Sequence, residues 1–82
     1  MTTATEVQIT PSAGERIRIL RQGHRWTLEL AAGKAGVPVE VWAAGEAGGI
    51  IGQDHYVAIL ALLGLTEQTV AFIERAAQKV RR

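Results

Sequence analysis

The sequence predicts an all-α domain of five short helices, and three observations carry that prediction. Apolar residues recur at spacings of three and four, as in Ile17 and Leu20 and in Val70, Ile73, Ala77 and Val80. Residues that favour helix N-caps, Ser12, Thr27 and Thr66, stand ahead of three of these stretches. Glycines at 23, 36 and 64 punctuate their ends. The chain has 82 residues, 48% of them hydrophobic, enough for one small core. With one Phe, one Tyr and two Trp that core must be mainly aliphatic, and with no Cys it has no disulfide or Cys-based zinc site to staple it.

Residues 1–11 read as a tail or a short strand. Glu6 to Thr10 alternates polar and apolar side chains. A strand there needs a partner, such as the same strand of a second subunit, whereas its terminal place favours a tail. Ser12 and Glu15 form a capping box after Pro11 and open the first helix. Ile17, Leu20 and Ile19 make its apolar side, and Gly23 is its left-handed stop. Thr27 caps a second helix that runs through Lys34 or Ala35, and Gly36-Val37 is the turn after it. Pro38 suits the first turn of a third helix, where its missing N–H costs nothing, and that helix ends between Gly45 and Gly48. The glycine-rich run Ala47 to Gly52 reads as a loop. A fourth helix begins at Gln53 or Asp54, buries Tyr56, Val57, Leu60 and Leu63, and stops at Gly64. Thr66 caps a fifth to the end. The organisation is thus a tail or strand over 1–11, a domain over 12–65 and a C-terminal helix over 66–82, for core packing or dimerisation.

The stretch LELAAGKAGVPVEVWAAGEA, Leu28 to Ala47, has the skeleton of a helix-turn-helix. Counted from Leu28, Ala32 is fifth, where a small side chain lets the second helix approach, and Gly36 is ninth, where a tight turn demands positive φ. Ala31, Ala35, Val37 and Trp42 fall on the inner side. The outward positions of the second helix of the pair are Val39, Glu40, Ala43 and Ala44, none of which is an Arg, Lys, Asn or Gln able to pair bidentately with a base edge.

Together, GERIRILRQGHRWTLELAAGKAGVP and the later HYVAILALLGL resemble the lambda-repressor/Cro-type (Xre-like) helix-turn-helix family over roughly residues 14–65. The shared features are a basic first helix, Trp26-Thr27, the turn Ala35-Gly36-Val37, a fourth helix ending in Leu-Gly-Leu, and Glu46 and Gly48 after the reading helix. The resemblance implies a five-helix lambda-repressor-like domain. The chain departs from the family at Leu28, where a phosphate-clasping donor such as Gln is usual, and at Ala31, where Leu is usual. It carries Trp42 and Gly45 in place of an aliphatic pair, which reads as one packing solution with the indole filling space vacated by Ala31 and Gly45. Pro38-Val39-Glu40-Val41 replaces the usual Ser or Thr cap and polar residues.

Net charge is +1, too small to identify a polyanion partner, but its distribution is uneven. Arg16, Arg18, Arg21 and Arg25 crowd one stretch and Arg75, Lys79, Arg81 and Arg82 another, while Pro38 to Thr66 contains acids and no Lys or Arg. Arg16 and Arg18 read as a solvated helix face. His24 and His55 have no second ligand at metal-binding spacing, no nucleophile–base arrangement is present, and the glycines at 48, 49 and 52 lack the Lys-Ser/Thr of a P-loop. The expectation is therefore a non-enzyme without cofactor or metal. No run approaches the ~20 apolar residues of a membrane span, and the N-terminus lacks the pattern of a signal peptide, so a cytoplasmic protein is expected, nucleoid-associated if it binds DNA.

The resemblance implies a small transcriptional regulator, phage-repressor/Cro-like or antitoxin-like, binding double-stranded operator DNA as a homodimer. Its DNA-binding residues would be Arg25, Thr27, Lys34, Val39, Glu40, Ala43, Ala44 and Gln53. Specificity would come from thymine-methyl contacts of Val39 and Ala43, from Glu40 accepting from cytosine, and from DNA shape. The stripe Val70, Ile73, Ala77 and Val80 would serve dimerisation. The competing expectation is a helix-turn-helix scaffold without DNA binding, docking a protein partner through Val39, Val41, Ala43 and Ala44. Phe72 lies off the stripe and would mark a partner surface if exposed.

Overall fold

A computed structural model describes residues 5–80, with the side chains of 73, 74 and 77–80 outside that description. The order is β1 (Glu6–Gln8), α1 (Pro11–Gly23), α2 (Leu28–Ala35), α3 (Val39–Glu46), β2 (Ile50–Gly52), α4 (Gln53–Leu62) and α5 (Glu67–Val80). The molecule is mainly helical, as expected, but the segments at either side of the first three helices pair as a small sheet.

β1 and β2 run antiparallel with Val7 opposite Ile51. Ile9 N–H donates to Gly49 O at 2.9 Å and Gln53 N–H to Thr5 O at 2.7 Å, extending the ladder by one bond at each end. This corrects two expectations at once. The N-terminal strand finds its partner within its own chain, and the second half of the glycine-rich loop is a strand. Gly48, at φ +80, and Gly49 make the turn that delivers β2 to β1. Sheet formation buries Ile9 and Ile51, which is why the pair outcompetes a free tail and a free loop.

α1 starts one cap earlier than its capping box implies. Thr10 is the N-cap, its Oγ1 accepting from Ala13 N at 3.1 Å, and Pro11 takes the first helical position, which needs no N–H. Its end also differs. Gly23 is still helical, and the left-handed residue is Arg25, at φ +62. His24, Arg25 and Trp26 N–H groups all close onto carbonyls of Leu20 to Gln22, so the chain reverses only after His24. The α2 boundaries are those expected: Thr27 Oγ1 accepts from Leu30 N at 3.1 Å, and Gly36 is left-handed at φ +74. Pro38 is the N-cap of α3 rather than part of its first turn, and it offers no side-chain cap. Thr66 Oγ1 accepts from Thr69 N at 3.0 Å at the start of α5.

The core joins Ile9, Ala13 and Ile17 to Ala31, Ala32, Val37 and Trp42, and closes with Ile51, Tyr56, Ile59, Leu60 and Val70. Ile19 is exposed, so Ala13, Ile17 and the half-buried Leu20 make the apolar side of α1. On α4, Ile59 takes the buried place expected for Val57, which is exposed, and Leu63 is half-buried. Because α4 leaves directly from β2 at Gly52, the strand sets its rotation and turns Ile59 inward beside Tyr56 and Leu60. The space beside Gly45 is taken by the side chains of Ile51 and Ile59, each just under 4 Å from where a Cβ would stand, rather than by the Trp42 indole.

The tightest approach is at Gly14. A Cβ there would lie 2.6 Å from Glu46 O and 2.7 Å from Gly45 O, so α1 crosses the end of α3 backbone to backbone. Gly14→Ala should therefore lower unfolding free energy by about 1–3 kcal/mol through overpacking. Gly33→Ala, in α2 with nothing within 4 Å of the added carbon, should raise it by roughly 0.5–1 kcal/mol. Chemical denaturation monitored by circular dichroism measures both, and opposite signs are the expected result.

Candidate nucleic-acid interface

The basic residues divide by what already holds them. Arg21, from the α1 cluster, is consumed inside the fold. Its Nε and Nη2 donate to the two Glu46 carboxylate oxygens at 2.5 and 3.1 Å, and its Nη1 donates to Trp26 O at 2.9 Å. The Trp42 indole N–H donates to the same carboxylate at 2.7 Å. Both charged side chains are nearly buried, at 12% and 11% exposure. The hydrogen bond that Arg21 donates to Glu46, against the opposing cost of burial, raises the pKa of the guanidinium above its ordinary value. For a base an upward shift means that its charge contributes fully in acid and neutral solution and is lost only in strong alkali.

Among the described residues the remaining cations, Arg16, Arg18, Arg25, Lys34 and Arg75, are exposed. Arg18 lies 3.7 Å from Glu15 one turn earlier, an arrangement typical of a solvated helix face, and Arg16 is exposed near it in sequence. Arg25, Trp26, Thr27 and Lys34 converge at the α1–α2 corner. The His24 and Trp26 rings stack at 4.2 Å with 13° between their planes, and Lys34 Nζ stands 5.3 Å from the centre of the Trp26 ring. Arg25 sits between the stacked pair in sequence, with a left-handed backbone and an exposed side chain. The Thr27 hydroxyl is already the acceptor of the α2 cap, which orders the N-terminus of that helix.

The α3 residues do not all face out. Glu40 is exposed and Ala43 partly so, whereas Val39, Val41 and Ala44 pack against the core. Ala44 is covered because Gly49 N–H returns to Ala44 O at 2.8 Å, laying the glycine turn over it. Of the four residues expected to face outward on α3, Glu40 is exposed and Val39, Ala43 and Ala44 are half-buried, with Val39 and Ala44 resting partly against the core. Gln53 does not join the α2–α3 group: its backbone is bonded to Thr5, and its side-chain amide donates to the Glu67 carboxylate. Val70 is buried in this chain's own core rather than presented to a partner. The side chains of Ile73, Ala77 and Val80, the rest of the expected dimer stripe, lie outside the described residues.

Reading residues singly, as charge or as core, missed the Arg21–Glu46–Trp42 cluster and the His24–Trp26 stack. The first leaves one signal in the sequence, the Trp42 to Glu46 spacing of four, which puts an indole donor beside a carboxylate on one helix face. No helix among the described residues is long and apolar enough to cross a membrane. Comparison with protein-family models, curated proteins and solved structures found no match, so residue geometry carries the functional reading.

Glu46→Gln leaves the Arg21 charge nearly buried with a neutral partner, and should cost about 3 kcal/mol in equilibrium denaturation. Arg18→Ala, which breaks only the exposed contact with Glu15, should cost well under 1 kcal/mol in the same experiment.

Proposed function

We propose that the chain is a small helix-turn-helix regulator of the lambda-repressor/Cro type that binds duplex DNA as a homodimer. The observation that carries this reading is the α1–α2 corner: Arg25, just ahead of the capped N-terminus of α2, and Lys34, in its last turn with Nζ reaching back to the Trp26 ring, stay exposed beside a stacked aromatic pair. A helix N-terminus with free backbone N–H groups and a cation just ahead of it suits a phosphate. Phosphate contacts position such a domain, and α3 would then lie in the major groove with Glu40 and Ala43 toward the bases. With so few reading groups, preference for sequence rests on Glu40 and on DNA shape.

A second reading, a protein-docking module on the same scaffold, is favoured by one specific observation. Leu30 is 48% exposed on α2, and α3 carries no base-pairing donor beside it. An apolar residue on a helix bearing few charges suits a protein surface better than a phosphate backbone.

The deciding experiment is fluorescence anisotropy of the whole chain with duplexes from around its own gene, titrated from low to physiological salt. Affinity that survives salt on one duplex and fails on its scrambled copy is the expected result. Arg25→Gly should lower the salt slope by about one while raising thermal stability, because it removes a phosphate contact and relieves a left-handed non-glycine. Glu40→Lys should strengthen binding to all duplexes and blur preference. Binding that is absent, or equally weak on every duplex, transfers the assignment to the protein-docking reading.

A further inference from the structure

Among the described residues one pair of aromatic rings stacks. His24 and Trp26 lie 4.2 Å apart and 13° from parallel, with the chain reversing between them through the left-handed Arg25. Phe72, on α5, is 71% exposed, but among the described residues no ring stacks on it and no cation stands over it. The His24–Trp26 stack is held from the protein side. Trp26 packs against the core, its N–H donates to Arg21 O, and its own carbonyl accepts from Arg21 Nη1 at 2.9 Å. The His24 N–H returns to the same Arg21 carbonyl at 3.1 Å. Stacking covers one face of the imidazole. His24 is nonetheless exposed, and beside it at Gly23 an added Cβ would meet nothing within 4 Å, so the other face opens on free space.

We propose that this corner binds an unpaired nucleobase together with its phosphate, as single-stranded DNA or RNA presents them. The base stacks on the open face of His24, and Arg25 and Lys34 meet the backbone. The combination selects the ligand. Phosphate alone asks for cations and leaves the rings unused, while an apolar partner would have to desolvate the cations. In a duplex both faces of an internal base are covered by its neighbours, so an aromatic face has nothing to stack on until a base is unpaired or flipped. One carboxylate, Glu29 in the first turn of α2, stands against the two cations, so charge alone binds weakly and the stack supplies a share of the affinity. A platform already ordered by Arg21 and the core loses little freedom on binding. The proposal rests on the phosphate-binding corner of the reading above, adds to it the class of nucleic acid, and needs neither the homodimer nor α3.

The test is fluorescence anisotropy of the whole chain with labelled oligothymidylate and oligouridylate of about twelve nucleotides, against an abasic strand of the same length and charge. At least one base-bearing strand should bind about fivefold or more tighter than the abasic strand, and the tighter of the two names the sugar that the corner accepts. Quenching of Trp26 fluorescence should accompany it, since Trp42 is buried. His24→Ala should remove the preference for bases, and His24→Phe, which keeps a stacking face, should retain it, with circular dichroism unchanged in both. An abasic strand bound as tightly as the others, or a preference indifferent to His24→Ala, overturns the proposal. Sequence-specific duplex binding without any base-dependent single-strand binding refutes this inference alone. Base-dependent binding that His24→Ala abolishes, with no sequence-specific duplex binding, refutes the regulator reading alone.

Discussion

The crossing of α1 over the end of α3 is the constraint on which the other elements depend. Gly14 lets the two backbones touch, and one and a half to two turns further along α1 the Arg21 guanidinium reaches both oxygens of Glu46. The same arginine holds Trp26 O, and the same glutamate takes the Trp42 indole N–H, so the cluster ties α1, the α1–α2 corner and α3 into one unit. Two nearly buried charges are costly to desolvate, and they are tolerated because their hydrogen-bonding capacity is met by geometry that only this crossing supplies. Among the described residues no buried side-chain nitrogen or oxygen lacks a partner. Such a cluster contributes less to net stability than to register: a slide of α1 along α3 would place a Cβ where only Gly14 fits and separate the pair.

The small sheet completes the same core from the other side. Three-residue strands are too short to persist alone, and here each is held by what lies next to it. Ile9 bonds to Gly49 as β1 leads into the α1 cap, and Gly52 ends β2 as the N-cap of α4. The sheet thereby fixes where α1 begins and how α4 is rotated, which decides that Ile59 is core and Val57 is surface.

The electrostatic character of the surface follows from what the core consumes. With Arg21 internal, the cluster of arginines on α1 is smaller than it looks, and the exposed positive charge around α2 resides in Arg25 and Lys34 beside the Trp26 ring. Stacking with His24 positions that ring and the reversal at Arg25 positions the guanidinium, so the corner is built from the close of one helix and the cap of the next. The α3 surface stays apolar and acidic, because Val39, Val41 and Ala44 are spent on packing.

Much of the helical order was legible from the sequence, because its determinants are local. Thr27, Gly36, Gly64 and Thr66 act within a turn of themselves, and the inward places of Ala31, Ala32 and Trp42 follow from helical spacing. Of the candidate site, Arg25, Thr27, Lys34 and Glu40 could be placed on the correct elements for the same reason. The tertiary structure alone decided what depends on partners distant in the chain. The alternation around Val7 and the glycine turn before Ile50 become a sheet only when 43 or so residues between them fold back, a pairing no window of local sequence contains. Arg21 reads as one more surface cation until α3 brings Glu46 to it from 25 residues away. The outward or inward fate of Ala44, Val57 and Phe72 was likewise set by what packs on them, since spacing names a helix's faces and only its neighbours say which face is covered.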